Sequence, residues 1–329
     1  MNRFIAILMC LAVAACTGTI DPESGEEGIL LLKSDVREFY ADGKSVVSFI
    51  VMLDDKDVTE DAVIKCVTDG VILSGNTFST EKEGEYVFNA SYNGVQSDNI
   101  SVVALFSSSF ERKVCVMEFT GQWCAQCPGG ATILNFLVND LYKGKVHALA
   151  FHNNDEYSLP VEQLLAERFK ITTYPSYLTD MRDCGELNGN GCSDSIYKSL
   201  YESVTFCGPS VSCTFDQAAG TVAVSAKVVS EKTSEYRLAA YVVEDKVRGS
   251  QTLGTGSVQS DYNHRHIVRK MLSSDYMGDR LGTIAAGSEA TKTYSFTLDP
   301  LWNPSNVSVV ILAITSDGQV NNSASTNII

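Results

Sequence analysis

The chain has 329 residues and a formal net charge of −15 at neutral pH. That length exceeds one ordinary domain and predicts two or three. So acidic a chain excludes binding to nucleic acid through phosphate neutralisation, whereas 44% apolar and 20% charged residues are ordinary for a globular protein.

Arg3 opens the chain with a positive charge, and Phe4 to Val13 is an apolar run. Such a run suits an export signal and is too short to cross a bilayer as a stable anchor. The segment Leu11-Ala12-Val13-Ala14-Ala15-Cys16 resembles a bacterial lipobox. The resemblance implies cleavage before Cys16 and acylation of that residue, and two or more acyl chains make anchoring stable. Residues 1–16 are therefore expected to be a lipoprotein signal peptide. Residues 17–28 carry Asp21, Glu23, Glu26 and Glu27 among glycine and proline and read as an acidic tether.

Residues 29–105 read as all β. The run Val46 to Leu53 is flanked by Asp42-Gly43 and Asp54-Asp55, and Val63–Val67 and Tyr86–Tyr92 are further strand candidates. Asp69-Gly70 and Asn93-Gly94 are turn dipeptides. The spacing predicts a small β-sandwich similar to bacterial immunoglobulin-like modules. Residues 106–109 read as a linker.

The pattern changes over 110–206. Val114 to Phe119 is a strand, and helical spacing begins at Cys124, with Leu134, Leu137, Val138 and Leu141 on one face. A strand over Val146 to Phe151, a helix from Pro160 to Phe169, a strand over Ser176 to Met181 and a helix over Asp194 to Val204 follow. Alternating strands and helices predict an α/β domain. From 210 to 329 the reading is β again. Val222, Val224, Ala226 and Val228 alternate on one face, and further strands fall at Arg237–Val243, Thr291–Leu298 and Val307–Thr315. These predict a C-terminal β-sandwich.

Eight cysteines lie beyond the export signal, and an exported chain meets an oxidising environment. Cys124-Ala-Gln-Cys127 carries the sharpest chemistry. A zinc site would need a second close pair, which the chain lacks. A buried-looking strand leads into the pair, Trp123 precedes it, and a helix follows. A thiol at a helix N-terminus is favoured as thiolate, the nucleophile of disulfide exchange. Cys124 would attack and Cys127 resolve. Cys184, Cys192, Cys207 and Cys213 are candidates for structural disulfides, with three connectivities open. Cys66 and Cys115 read as buried thiols. His264 and His266 would share a strand face, but two such ligands do not make a metal site.

Phe119 to Pro128 resembles the active-site segment of the thioredoxins. The resemblance implies that Glu118 is a buried carboxylate relaying protons to Cys127. It also implies that Tyr174-Pro175 is the cis-proline loop facing the disulfide. The chain departs from that family between Arg182 and Ser193, where a polar glycine-rich insertion replaces the last hairpin, and in the Ala-Gln pair between the cysteines. The whole layout resembles the outer-membrane-protein-28-related lipoproteins, with Tyr262 to Arg269 similar to a segment of their C-terminal part. The expected architecture is multidomain: an Ig-like β-sandwich, a central α/β thioredoxin-like domain, and a C-terminal β-sandwich.

Two functions follow. One is thiol–disulfide exchange by an outer-membrane lipid-anchored protein facing the periplasm or the exterior. Its partners would be protein thiols or disulfides, a redox partner and the lipid bilayer, and no cofactor is needed. The other is a non-catalytic binding or adhesion lipoprotein in which the cysteine pair only staples the fold.

Overall fold

The computed structural model describes residues 28–183 and 189–329. The signal peptide, Cys16, the tether and Cys184 lie outside the described residues. The chain divides into two compact units, one ending at Phe106 and one spanning Ser107–Ile329.

The first unit is built from two sheets. Leu30–Ser34 and Val47–Leu53 pair antiparallel in one, joined by Lys56–Asp57 and Thr77–Phe78. Ile100–Phe106 sits in the other between Gly84–Tyr92 and Glu38–Ala41, the latter pairing being parallel. Alternation along Val47–Leu53 puts Val47, Phe49 and Val51 inside, where they meet Ile64, Phe88 and Val102 of the other sheet. The rings of Phe49 and Phe88 lie 4.6 Å apart. Asn93 and Gly94 both take positive φ, which the tight connection from Gly84–Tyr92 to Val95–Gln96 requires.

The second unit centres on one nine-stranded sheet. Its order runs Arg182–Asp183, Ser176–Thr179, Val114–Thr120, Val146–His152, Ile267–Met271, Ser234–Glu244, Val307–Thr315, Val320–Asn327, with Asp279–Ile284 also pairing with Ser234–Glu244. Strands buried on both faces read as continuous apolar runs, and Val114–Thr120 and Val307–Thr315 do so. Tyr236, Leu238, Ala240 and Val242 face a three-stranded sheet of Cys207–Asp216, Thr221–Ser230 and Ser288–Thr297. Val222, Val224, Ala226 and Val228 answer them from that sheet. Ala239, Tyr241 and Val243 face the other way and join Phe119, Phe151 and Leu165. Three α-helices cover the far end among the described residues: α1 (Cys127–Phe136), α2 (Pro160–Phe169) and α3 (Gly189–Tyr201). α2 packs on the Met117, Phe119 and Leu149 face, and α1 and α3 on the Val114, Val116 and Ala148 face.

This arrangement corrects the expected architecture. Strands hold 49% of the chain and helices 13%, which is the balance of a β protein. No central α/β thioredoxin-like domain stands between two β domains. Val146–His152 pairs in parallel with Ile267–Met271, and Ala150 N–H donates to the His266 carbonyl at 2.7 Å. An open parallel edge leaves backbone groups unpaired. Here C-terminal strands fill that edge and carry the sheet onward, so middle and C-terminal strands share one core.

Local differences have equally local causes. α1 begins at Cys127, three residues after Cys124, because Trp123-Cys124-Ala125-Gln126 forms turns before Pro128 enters the first helical turn. After Phe136 the helix widens into a π-turn over Leu137–Leu141. The extra residue rotates the following face, so Leu134 and Leu137 are buried while Leu141 is exposed. The strand from Ser176 stops at Thr179, since Asp180 and Met181 both turn to positive φ.

Candidate functional site

Cys124 and Cys127 form a disulfide, with Cα atoms 5.4 Å apart. The loop that carries them leaves the C-terminal end of Val114–Thr120, a strand buried at all seven positions. Cys124 N–H donates to the Gly121 carbonyl at 3.0 Å, and Cys127 N–H to the Cys124 carbonyl at 3.3 Å. Both sulfur residues are well covered, Cys124 at 4% exposure and Cys127 at 1%. Trp123 is the open part of the loop at 47%.

Trp123 is fixed by its indole N–H, which donates to the Asn153 carbonyl at 2.7 Å, and by an edge-on contact with Tyr174 at 5.5 Å between ring centres. Tyr174 O–H donates to Glu162 of α2 at 2.5 Å, and Asn153 Nδ2–H donates to the other oxygen of Glu162 at 2.9 Å. The Tyr174–Pro175 peptide is cis. Pro175 packs against α1 at Gly130, where an added Cβ would lie 3.1 Å from the Pro175 ring and 2.0 Å from the Tyr177 hydroxyl. Only glycine lets these two elements approach so closely.

Glu118, on the strand that leads into the disulfide loop, is 3% exposed. Tyr177 O–H donates to its Oε1 at 3.5 Å. Burial pushes the Glu118 carboxyl up to about 8, so it is neutral at pH 7. Burial, and then Glu118 itself, push the Tyr177 phenol up as well. Glu118 and Cys127 both line a cavity of about 140 Å³, together with Thr120, His152, Tyr262 and His264. Polar buried surface around a space of that size suits water or a small polar group. His152 Nδ1 lies 2.7 Å from Asp155 Oδ2. Burial, with His152 beside it, brings the His264 imidazole down to about 4, so it is uncharged at neutral pH.

The structure thus gathers Glu118, Trp123, Cys124, Cys127, Tyr174 and Pro175 into one region. It separates His264 from His266: His264 ends the strand Val258–His264, while His266 turns to positive φ before Ile267–Met271. Cys207 and Cys213 are thiols on a single strand, Cys207–Asp216. Six residues of strand span about 20 Å, far beyond a disulfide's reach of about 7 Å, so these two do not bond to each other. Cys192 is buried. Cys66 and Cys115 are buried thiols in separate units, and burial pushes the Cys115 thiol well up.

Sequence reasoning missed Gln251. Its carboxamide Nε2 donates to the Cys124 carbonyl at 2.9 Å and the Gly121 carbonyl at 3.3 Å. Nothing local in Ser250-Gln251-Thr252 signals that contact, which crosses 127 residues of chain.

The chain is similar to several known proteins. HBP35 of Porphyromonas gingivalis is 22% identical over 68% of this chain and 77% of its own, with a TM-score of 0.57, and so has a similar fold. The sporulation control protein Spo0M of Bacillus subtilis is 18% identical over 38% of this chain and 49% of its own, at a TM-score of 0.26. A DUF4466 family protein from Parabacteroides merdae is 11% identical over 39% of this chain and 45% of its own, at 0.20. No curated protein matches the sequence. Residues 162–328, half of the chain, match the profile of the family described as Outer membrane protein Omp28. That stretch takes in most of α2, the cis-proline segment, Gln251 and the strands that complete the nine-stranded sheet, and by it the chain belongs to the Omp28 outer membrane protein family.

Proposed function

We propose that the chain is an exported, lipid-anchored outer-membrane protein that exchanges disulfides with the thiols of partner proteins at Cys124–Cys127. The cavity shared by Cys127 and a neutral, buried Glu118 carries this reading. In the oxidising direction a partner thiolate attacks Sγ of Cys124. The electron pair of the S–S bond passes to Sγ of Cys127, and the Glu118 carboxyl supplies the proton. A second partner thiolate then attacks the partner sulfur of the mixed disulfide and releases Cys124 as thiolate. The partner dithiol ends as a disulfide and the chain as a dithiol, to be reoxidised by a second disulfide-bearing partner. Trp123 and Pro175 would frame the approach to Cys124. A carboxyl with a pKa near working pH is well placed to give and retake a proton.

A second reading has its own support. Exposures of 4% and 1% at the two cysteines also suit a staple inside a non-catalytic surface-binding lipoprotein. A dithiol-oxidation or insulin-reduction assay separates the two. The exchange reading expects turnover that Cys124→Ser abolishes. Turnover unchanged by that substitution, or none in the wild type, leaves the staple.

A further inference from the structure

The strands Val247–Thr252 and Val258–His264 pair only with each other. They form a hairpin that leaves the nine-stranded sheet after Glu244 and rejoins it at Ile267. Both passages are marked by left-handed backbone at non-glycine residues, Lys246 with φ 59° and His266 with φ 56°. Asp245 closes the base, its Oδ1 accepting from His266 N–H at 2.8 Å. The blade of the hairpin lies against the disulfide loop. Besides the two Gln251 bonds, Thr252 N–H donates to the Gln122 carbonyl at 2.7 Å. Tyr157 O–H reaches the Arg248 carbonyl at 3.5 Å. Gly249 lets the blade settle, since an added Cβ would lie 2.2 Å from the Tyr157 hydroxyl. Gln251 itself is 3% exposed.

We infer that this hairpin is a gate over the Cys124–Cys127 disulfide, with Gln251 the positioning residue that holds it shut. At the hairpin's base His264 packs edge-on against His152 and Tyr157, but the contacts between the blade and the disulfide loop are few and polar. They can part while the hairpin keeps its own strand pairing, with the two left-handed junctions as hinge points. Shut, the gate admits only a slender thiol to Sγ of Cys124; a bulky partner reacts after the blade lifts. The Gly121 and Cys124 carbonyls keep other donors when Gln251 withdraws, the Cys124 N–H and the Cys127 N–H respectively, so neither acceptor is stranded, and the Gln122 carbonyl exchanges the Thr252 N–H for water. This rests on the exchange reading for its purpose but not for its test.

The test reduces the purified full chain and follows alkylation of Cys124, read peptide by peptide by mass spectrometry. N-ethylmaleimide is compared with a maleimide bearing a polymer of several kilodaltons, which has the same reactive group. The wild type should label much faster with the small reagent. Gln251→Ala should raise the rate with the large reagent by about tenfold, the effect of removing a bond network worth about 1.4 kcal/mol, and leave the small-reagent rate within about threefold. Gly249→Ala, which wedges the blade from Tyr157 without touching Gln251, should shift the ratio the same way. Equal wild-type rates with the two reagents, or a ratio unmoved in both variants, overturns the gate. Labelling needs no turnover, so the gate can fail while exchange by Cys124 stands, and the reverse.

Discussion

Glu118 and Cys127 border the same cavity of about 140 Å³, one from the buried strand Val114–Thr120 and the other from the first turn of α1. The shared cavity joins a buried acid to the cysteine that, in the proposed exchange, takes up a proton when the disulfide opens.

Glu118 should therefore make stability and reactivity depend on pH. Its folded pKa is raised from 4.5 to about 8. The folded state holds a proton that the unfolded state has lost between those values, so the carboxyl's contribution to stability is complete below about 4.5 and falls away as pH rises through 8. The difference amounts to at most about 5 kcal/mol. Urea unfolding between pH 7 and 9, above the range in which the buried His264 and His147 take up protons on unfolding, should show wild-type stability declining with pH and Glu118→Gln much flatter. The same variant should slow the first step of dithiol oxidation, in which Cys127 leaves and takes up a proton, by about 10²-fold if Glu118 moves that proton. A variant that keeps the wild-type pH slope removes Glu118 from this role.

Gly130 is the tightest packing constraint at the site. A methyl group there would press on the Tyr177 hydroxyl and the Pro175 ring. Gly130→Ala should lower stability by about 1–3 kcal/mol through overpacking, despite alanine's better helix propensity. Thermal melting reads the loss. Because Tyr177 is the donor to Glu118, the variant should also change the pH dependence above, whereas a purely helical effect would raise the melting temperature.

The sequence displayed the cysteine pair and concealed its surroundings. Cys124-x-x-Cys127 between a buried strand and a helix was legible, because periodicity, proline and residue type are local. The β alternation of Val222, Val224, Ala226 and Val228 was legible for the same reason. The pairing of Ala150 with Ile267 was not, since it joins residues more than a hundred positions apart and no local pattern selects one parallel edge over another. That one pairing decides whether the middle strands close a domain or extend into the C-terminal sheet. Gln251 was hidden likewise, its role set wholly by where the hairpin lands.

Arg112 and Asp180 form a buried ion pair, at 2.7 Å with side-chain exposures of 7% and 0%. Asp180 also accepts from Cys115 N–H at 2.8 Å and from the Ser199 hydroxyl. Burial pushes its carboxyl up and Arg112 pulls it back. Arg112→Ala leaves a buried charge without its partner and should cost about 3–5 kcal/mol. Pairing it with Asp180→Asn should recover part of that, because the stranded charge is gone. Urea unfolding of the single and double variants measures both. A single variant within about 1 kcal/mol of wild type would mean that the Ser199 and Cys115 contacts alone satisfy Asp180.

Membrane attachment should depend on Cys16 alone. The apolar run Phe4 to Val13, read as an export signal, is shorter than a bilayer-crossing helix needs, and among the described residues no helix is long and apolar enough to cross a bilayer. Cys16→Ala should therefore abolish incorporation of radiolabelled palmitate. Attachment by acyl chains is lost with them, so a processed variant should move from the outer-membrane fraction to the soluble periplasmic one. Retention of Cys16→Ala in the membrane after high-salt and carbonate washes, with no label incorporated, would show that something other than a lipid at Cys16 holds the chain there.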